Sequence, residues 1–304
     1  MKLLLESISE IRNSISKPID SIINGGILIN KGMLLIAGQQ KRGKSILAAN
    51  LALAISQGKS FAGFEIPTSK RTTLLSAEGG ADENGKRINL MCKKFGEDFD
   101  ESTIKICRDT RILFNKDDQL KSLLEILKET SPNVVIIDPL SKFHQYDENS
   151  SQEMSELMRR IRYMMDELNC ATIITHHLGK DESRGARGSS VLSGEYDSYM
   201  RLKGNIKKSI QCGFDLRHSV SPDPKNIYLN SDTLWFCEKN IKATSIFYNL
   251  LSSTGSLSQA ALVKKAVEAG INLHNTNVYR DIKKEITEGI LLKEGDLIRL
   301  NPIS

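Results

Sequence analysis

The 304-residue sequence has little cysteine, little proline and no long apolar run, and each shortage excludes a class of protein. Its five cysteines, Cys92, Cys107, Cys170, Cys212 and Cys237, lie 15, 63, 42 and 25 residues apart. That leaves neither a CxxC pair nor a zinc-ligand spacing, so reduced and mostly buried thiols are expected. Seven prolines, 39% hydrophobic and 26% charged residues exclude fibrous and disordered chains. Apolar runs such as Val134 to Ile137 fall far short of the ~20 residues that span a bilayer. The opening Met1-Lys2-Leu3-Leu4-Leu5 begins like a signal peptide, but Glu6 and Glu10 interrupt it and no small-residue cleavage site follows, so a cytoplasmic location is expected. A net charge of +5 permits a nucleic-acid partner without requiring one.

At roughly 150 residues per domain, the length suggests about two folding units. Leu4, Ile8, Ile11, Ile15, Ile19 and Ile22 recur at spacings of three and four, as on an amphipathic helix that Pro18 breaks. Such a helix packs either on its own domain or on a neighbouring subunit. From residue 31, short apolar strands alternate with helix-period stretches, the pattern of an α/β fold with a mainly parallel sheet. Strands are expected at Met33 to Ala37, Thr72 to Ala77, Thr103 to Cys107, Asn133 to Asp138 and Ala171 to Thr175. Helices are expected at Lys44 to Gln57, Asp82 to Phe95, Asp117 to Glu129 and Gln152 to Asn169. Beyond Gly188, the runs Tyr199 to Lys203, Ser209 to Arg217, Ile227 to Leu229 and Thr233 to Glu238 are separated by turn signals and predict an antiparallel extension of the sheet. The last sixty or so residues predict helices at Ala243 to Ser252, Ser258 to Ala269 and Asn275 to Glu288, then a small hairpin, an order like that of a winged helix-turn-helix. The expected division is an N-terminal helical segment over 1–24, an α/β domain over 25–240 and a winged-helix-like domain over 241–304.

Gly38-Gln39-Gln40-Lys41-Arg42-Gly43-Lys44-Ser45 fits the phosphate-binding pattern GxxxxGK[ST], placed between an expected strand and an expected helix that continues through Ile46. The glycines let backbone amides converge on a phosphate, and the helix N-terminus adds a positive dipole. Lys44 is placed to reach the β and γ oxygens of a nucleoside triphosphate, and Ser45 to hold Mg2+. The run Asn133 to Asp138 ends in a carboxylate suited to the same metal. Glu78, at the exit of the following strand, can orient and deprotonate an attacking water. Thr175-His176-His177 closes the fifth strand on the carboxyl edge where α/β sheets bind ligands. One of its imidazoles suits a γ-phosphate or a bound nucleic acid.

GQQKRGKS, LLSAEGG, VVIIDPLSKFHQYDEN, TIITHHLGK and ARGSSVLSGEYDSYMRL occur in that order over roughly residues 20 to 215. Together they resemble the RecA-like ATPases of the RepA replicative helicase type. The resemblance implies ATP and Mg2+ at Lys44 and Ser45, Glu78 as catalytic carboxylate, Asp138 as the metal acid, His177 as the γ-phosphate sensor and a six-membered ring with ATP between neighbours. Two departures stand out. Asp197 occupies the position of the arginine that completes the neighbouring site in the plasmid helicase, leaving Arg187 and Arg201 as substitutes. Residues 243–304 have no recognised counterpart there.

Ring-facing loops in such folds correspond to Ser141 to Ser151 and Gly179 to Ser190, where Lys142, Lys180, Arg184 and Arg187 can track phosphates and Phe143 and His144 offer stacking surfaces. In the C-terminal unit the third helix carries Arg280, Lys283 and Lys284 beside Asp281 and Glu285, suiting either duplex DNA or a docking protein such as a replication partner. Two functions compete. One is a homo-hexameric ATP-driven motor on single-stranded DNA, serving a plasmid, phage or mobile element; the other is an ATP-dependent DNA-binding regulator or helicase loader that does not unwind. A small-molecule kinase is a remoter reading, because no lid is recognisable.

Overall fold

A computed structural model of the chain describes residues 7–14, 21–77, 81–108, 111–178, 194–238, 245–271, 274–287 and 290–301. It opens with α1 (Ile8–Ser14) and an antiparallel ribbon of β1 (Ser21–Ile23) and β2 (Leu28–Ile29). The ribbon departs from the sequence expectation: Ile22, expected on a helix face, is a fully buried strand residue. Gly25 and Gly26, at φ of 72° and 74°, supply the left-handed backbone that the connecting turn requires.

Next come β3 (Met33–Gly38), α2 (Lys44–Gln57), β4 (Thr72–Ser76), α3 (Ala81–Cys92), β5 (Ile104–Cys107), α4 (Asp117–Thr130), β6 (Val134–Asp138), α5 (Ser151–Leu168) and β7 (Ala171–His177). After them come β8 (Ser198–Asn205), β9 (Ser209–Leu216), β10 (Lys225–Asn230) and β11 (Trp235–Cys237). These build a sheet in the order β11-β10-β9-β8-β3-β7-β6-β4-β5. The stretch from β8 to β5 is parallel, while β9, β10 and β11 add on antiparallel. The fold is α/β with a mixed, mostly parallel sheet, as the alternation of strand and helix signals predicts. Among the described residues, no helix is long and apolar enough to cross a membrane.

Each sheet face has its own core. Leu34 and Ile36 of β3 point towards α2, and Met33, Leu35 and Ala37 towards α4 and α5. The outer helices are amphipathic: α4 buries Leu120, Leu123, Leu124 and Leu127, and α5 buries Met154, Leu157, Met158, Ile161, Met164 and Met165. By contrast α2 is apolar on every side and buried from Leu47 to Ser56, because β11 covers the side away from β3. Asn50, fully buried, ties them together: its Nδ2 donates to Leu234 O at 3.0 Å and its Oδ1 accepts from Phe236 N–H at 2.9 Å. The helix that begins at the glycine-rich loop is therefore gripped from both sides.

The C-terminal segment runs α6 (Tyr248–Ser252), β12 (Ser256–Ser258), α7 (Gln259–Glu268), α8 (Asn275–Thr287), β13 (Leu291–Glu294) and β14 (Leu297–Leu300), with a separate sheet in the order β12-β14-β13. Phe247, Leu251, Leu262, Val263, Val278, Ile282, Leu291 and Ile298 form a core of their own. Buried Glu285 accepts from Ser245 Oγ at 2.8 Å and Ile246 N–H at 2.9 Å, holding the entry to α6. The first of these helices is shorter than its sequence pattern suggests, and β12 has no counterpart in the sequence expectation, because three residues of Ser-Leu-Ser carry almost no strand signal.

Candidate functional site

The loop 38–45 leaves β3 at its carboxyl end and turns into α2 at Gly43, whose φ of 79° is left-handed. A side chain there would strain the backbone and push its neighbours aside, since a Cβ would stand 2.9 Å from both Ile206 Cδ1 and Phe236 Cζ. The β8–β9 turn and β11 thus form a wall against the loop, a contact with no sequence signal because Ile206 lies far along the chain. No side chain caps the start of α2, and no acid occupies its first turn. The amides and dipole of that turn are suited to an anion.

Lys44 is 5% exposed, and its ammonium curls over the loop to donate to Gly38 O at 2.9 Å and Gln39 O at 2.8 Å. Arg42 donates to Gln39 Oε1 at 2.9 Å across the same loop, while Gln40 and Lys41 face solvent. Ser45 Oγ donates to Asp138 Oδ1 at 3.1 Å. A hydroxyl and a carboxylate one hydrogen bond apart, beside an uncapped helix N-terminus, form a hard-oxygen donor set that fits Mg2+ with a phosphate.

Register explains why these groups meet. Ser76 pairs with Asp138 across β4 and β6, and Thr175 pairs with Ile36 across β7 and β3, so one row on the α2 face reads Ser76, Asp138, Thr175, Ile36. Thr175 Oγ1 also donates to Asp138 Oδ1, at 2.5 Å. One row nearer the sheet edge, half-buried His177 pairs with Gly38, and Leu178 N–H reaches Gly38 O at 3.2 Å. A cavity of about 490 Å³ starts at Ser45 and Asp138 and extends between α2, α3 and β5. Ser76, Asn84 and Arg108 supply polar groups to it, and Asn84 Nδ2 donates to Ser76 Oγ at 2.9 Å. Thr175, Asn84 and Arg108 are not among the site residues expected from the sequence. Thr175 does carry a signal, as a hydroxyl directly before the histidine pair.

Glu78, Lys180, Arg184 and Arg187 lie outside the described residues. Arg201, half-buried on β8, pairs with Ala37 and Gly213, which puts it on the sheet face opposite Asp138 and Thr175. His176 shares that face and is fully buried.

One expectation is overturned. Phe143, expected as a stacking surface for bases, is fully buried against Phe114 with ring centroids 5.9 Å apart, and Phe114 N–H donates to Phe143 O at 2.7 Å. An aromatic residue after a short helical turn is here a core anchor. His144 is likewise 7% exposed, and burial holds its imidazole below the usual pKa, with the neighbouring His176 acting in the same direction. Lys142 alone of this trio is exposed, and the following loop is organised by acids: Asp147 Oδ1 accepts from Asn149 N–H at 2.9 Å, and Glu153 Oε2 from Asp147 N–H at 2.7 Å.

Asp197 has a different setting. Its Oδ2 accepts from Met33 N–H at 2.8 Å and faces Arg162 Nη2 at 3.2 Å, and its Oδ1 faces His218 Nε2 at 3.2 Å. It anchors the amino ends of β3 and β8. Burial opposes its charge, but the Met33 amide, the Arg162 guanidinium and His218 hold its carboxyl below the ordinary 3.8.

On α8, Arg280, Lys283, Lys284 and Tyr279 are exposed, while Val278, Ile282 and Glu285 face inwards.

The sequence profile of the AAA domain family AAA_25 matches residues 3–183, more than half of the chain. No curated protein matches it. Among solved structures, one isolated ATPase domain superposes with a TM-score of 0.56 at 17% identity, covering 77% of this chain and 96% of that one. A DnaB-like replicative helicase, solved with regard to its interactions with primase, gives 0.54 at 18%, covering 76% of this chain and 64% of that one. A KaiC-like protein from the hyperthermophilic archaeon Pyrococcus horikoshii OT3 gives 0.54 at 14%, covering 73% and 100%. These likenesses show the fold, a RecA-like α/β core with a mostly parallel sheet.

Proposed function

Because the chain belongs to the AAA domain family AAA_25, we propose that it is an ATP-hydrolysing, DNA-dependent RecA-like motor, a homo-hexameric replicative helicase of the RepA type that serves a plasmid, phage or other mobile element in the cytoplasm. The observation that carries this reading is the convergence of the glycine-rich loop, Lys44, the Ser45–Asp138 pair and His177 on one carboxyl edge of the sheet.

The loop amides and Lys44 bind the β- and γ-phosphates of ATP, with Gly43 letting the backbone approach closely. Ser45 and Asp138 hold Mg2+, which when bound neutralises charge on the phosphate oxygens. Glu78 takes the proton of the attacking water, and His177, level with the first loop residue, contacts the γ-phosphate. Arg201 or Arg187 completes the site of a neighbouring subunit. Arg201 lies on the face away from its own Asp138, which favours action in trans. Lys142, Lys180 and Arg184 follow the phosphates of single-stranded DNA. With Phe143 removed from that surface, the contact is electrostatic and tolerant of sequence.

The division at residues 24 and 240 belongs to the same proposal, with 241–304 as a winged helix. Its support is the element order α6-β12-α7-α8-β13-β14 and the separate core. The exposed Arg280, Lys283 and Lys284 on α8 suit duplex DNA or a replication protein, and this basic face also favours the second reading, a regulator or loader that hydrolyses ATP without unwinding.

The test is ATP turnover of the full chain with and without single-stranded DNA, beside strand displacement on a forked duplex and particle images. Stimulation by DNA, unwinding and loss of both in Lys44→Ala are expected. Turnover that survives Lys44→Ala overturns the nucleotide site, and DNA-stimulated turnover without displacement selects the loader reading.

A further inference from the structure

Asp138 Oδ1 receives two hydroxyl donors, Ser45 from the loop helix at 3.1 Å and Thr175 from β7 at 2.5 Å. An ionised carboxylate oxygen offers about two acceptor directions, so this pair occupies Oδ1 and fixes the plane of the group, which aims Oδ2. Asp138 is 2% exposed and Thr175 fully buried. Thr175, fully enclosed, cannot exchange Asp138 for water, and a buried hydroxyl without a partner is costly. Thr175 continues the apolar strand run Ile173-Ile174, where a valine would fill the same space, so packing alone does not call for its hydroxyl.

We propose that Thr175 is a positioning residue for the metal-binding carboxylate: its hydroxyl holds Asp138 in the orientation that accepts Mg2+ beside Ser45. This inference rests on the nucleotide-site reading above. When Ser45 Oγ turns its lone pair to the metal it can still donate to Asp138, but Thr175 remains the anchor that does not itself touch the ion. Thr175 also stands two residues before His177 on the same strand face, so a shift at the end of β7 bears on both the γ-phosphate contact and the carboxylate.

The experiment titrates Mg2+ into the full-length protein with a fluorescent ATP analogue and reads analogue binding, for wild type, Thr175→Val and Thr175→Ser. Partners that orient metal ligands typically contribute about 10–100-fold in metal affinity. Thr175→Val is expected to need at least about 10-fold more Mg2+ at the midpoint while binding the analogue in EDTA as wild type does, and Thr175→Ser to restore the wild-type midpoint. An unchanged midpoint in Thr175→Val overturns the positioning role and leaves the nucleotide site standing. Equal weakening with and without Mg2+, or failure of Thr175→Ser to rescue, also overturns it and assigns Thr175 to packing. Absence of any Mg2+ dependence in the wild type removes the nucleotide-site reading itself.

Discussion

His177 and Gly38 are register partners on adjacent parallel strands, and the amide after His177 donates to the carbonyl of Gly38 at 3.2 Å. The imidazole at the end of β7 therefore stands level with the residue that opens the phosphate loop, independently of how the loop itself closes. His177→Ala is expected to slow ATP hydrolysis by about 100-fold, the usual scale for removing one donor to developing charge. ADP affinity should stay near wild type, since that ligand has no γ-phosphate. Equal losses for ADP and ATP, measured by calorimetry, would place His177 in the structural support of the loop instead.

Phe143 and Lys142 are neighbours in sequence with opposite fates. Phe143→Ala is expected to lower stability by about 3–5 kcal/mol, because a full aromatic ring leaves the core beside Phe114. Lys142→Ala should leave the unfolding midpoint unchanged. It should reduce the dependence of single-stranded DNA affinity on salt by about 0.7 in log–log slope for one lost phosphate contact. Chemical denaturation and salt titrations of binding separate the two, and a Phe143→Ala protein of wild-type stability would return the ring to the DNA surface.

Asp197→Asn is expected to destabilise the protein by on the order of 2 kcal/mol at pH 7, because the amide keeps the shape but loses the charge shared with Arg162 and His218. The folded carboxyl titrates below its ordinary 3.8, so the unfolded chain binds the proton first as pH falls. The stabilisation is complete above the unfolded value and disappears as pH drops through the folded one. Unfolding curves of wild type and variant should thus begin to converge as pH falls below 3.8 and meet only below the folded value. A gap that persists in acid would mean the loss is steric.

Arg201 and Glu78 offer a test by complementation. If Arg201 acts on a neighbour, mixing Glu78→Gln chains with Arg201→Ala chains should recover part of the ATP turnover that each lacks, because some interfaces then pair an intact carboxylate with an intact arginine. No recovery in mixtures shown to exchange subunits would put the completing group in the same chain or at Arg187.

Much of the sheet is legible in the sequence because parallel strands buried on both faces read as unbroken apolar runs. Val134 to Asp138 and Met33 to Gly38 need no tertiary information, and α2 lies where Gly43 and Gly58 bracket it. What the sequence does not show is decided by contacts across the chain. Ile22 has helical spacing from Ile8, but the strand that pairs with its neighbours Ser21 and Ile23 lies beyond the Gly25–Gly26 turn. Phe143 reads as a loop aromatic because nothing local announces Phe114, twenty-nine positions earlier. The loop, Lys44, Ser45 and Asp138 form a local motif with a fixed meaning. Thr175, Asn84 and the Ile206–Phe236 wall join the site through register and packing, which composition does not encode.

Trp235 is the sole tryptophan of the chain, and it sits next to Phe236, which presses on Gly43. Its indole N–H donates to Met91 O at 2.9 Å near the end of α3, and its ring meets Phe61 and Phe95 edge-on and carries the Lys94 ammonium 4.3 Å above it. Burial among these groups pushes the Lys94 pKa down to about 8. Tryptophan emission from this protein accordingly comes from one dry, asymmetric spot coupled to both the loop and α3. Its spectrum should be blue-shifted at rest, should change when a triphosphate enters, and should drift as pH rises through about 8 and the nearby cation discharges. The protein thereby contains its own optical reporter, which makes rapid-mixing measurements possible without a label.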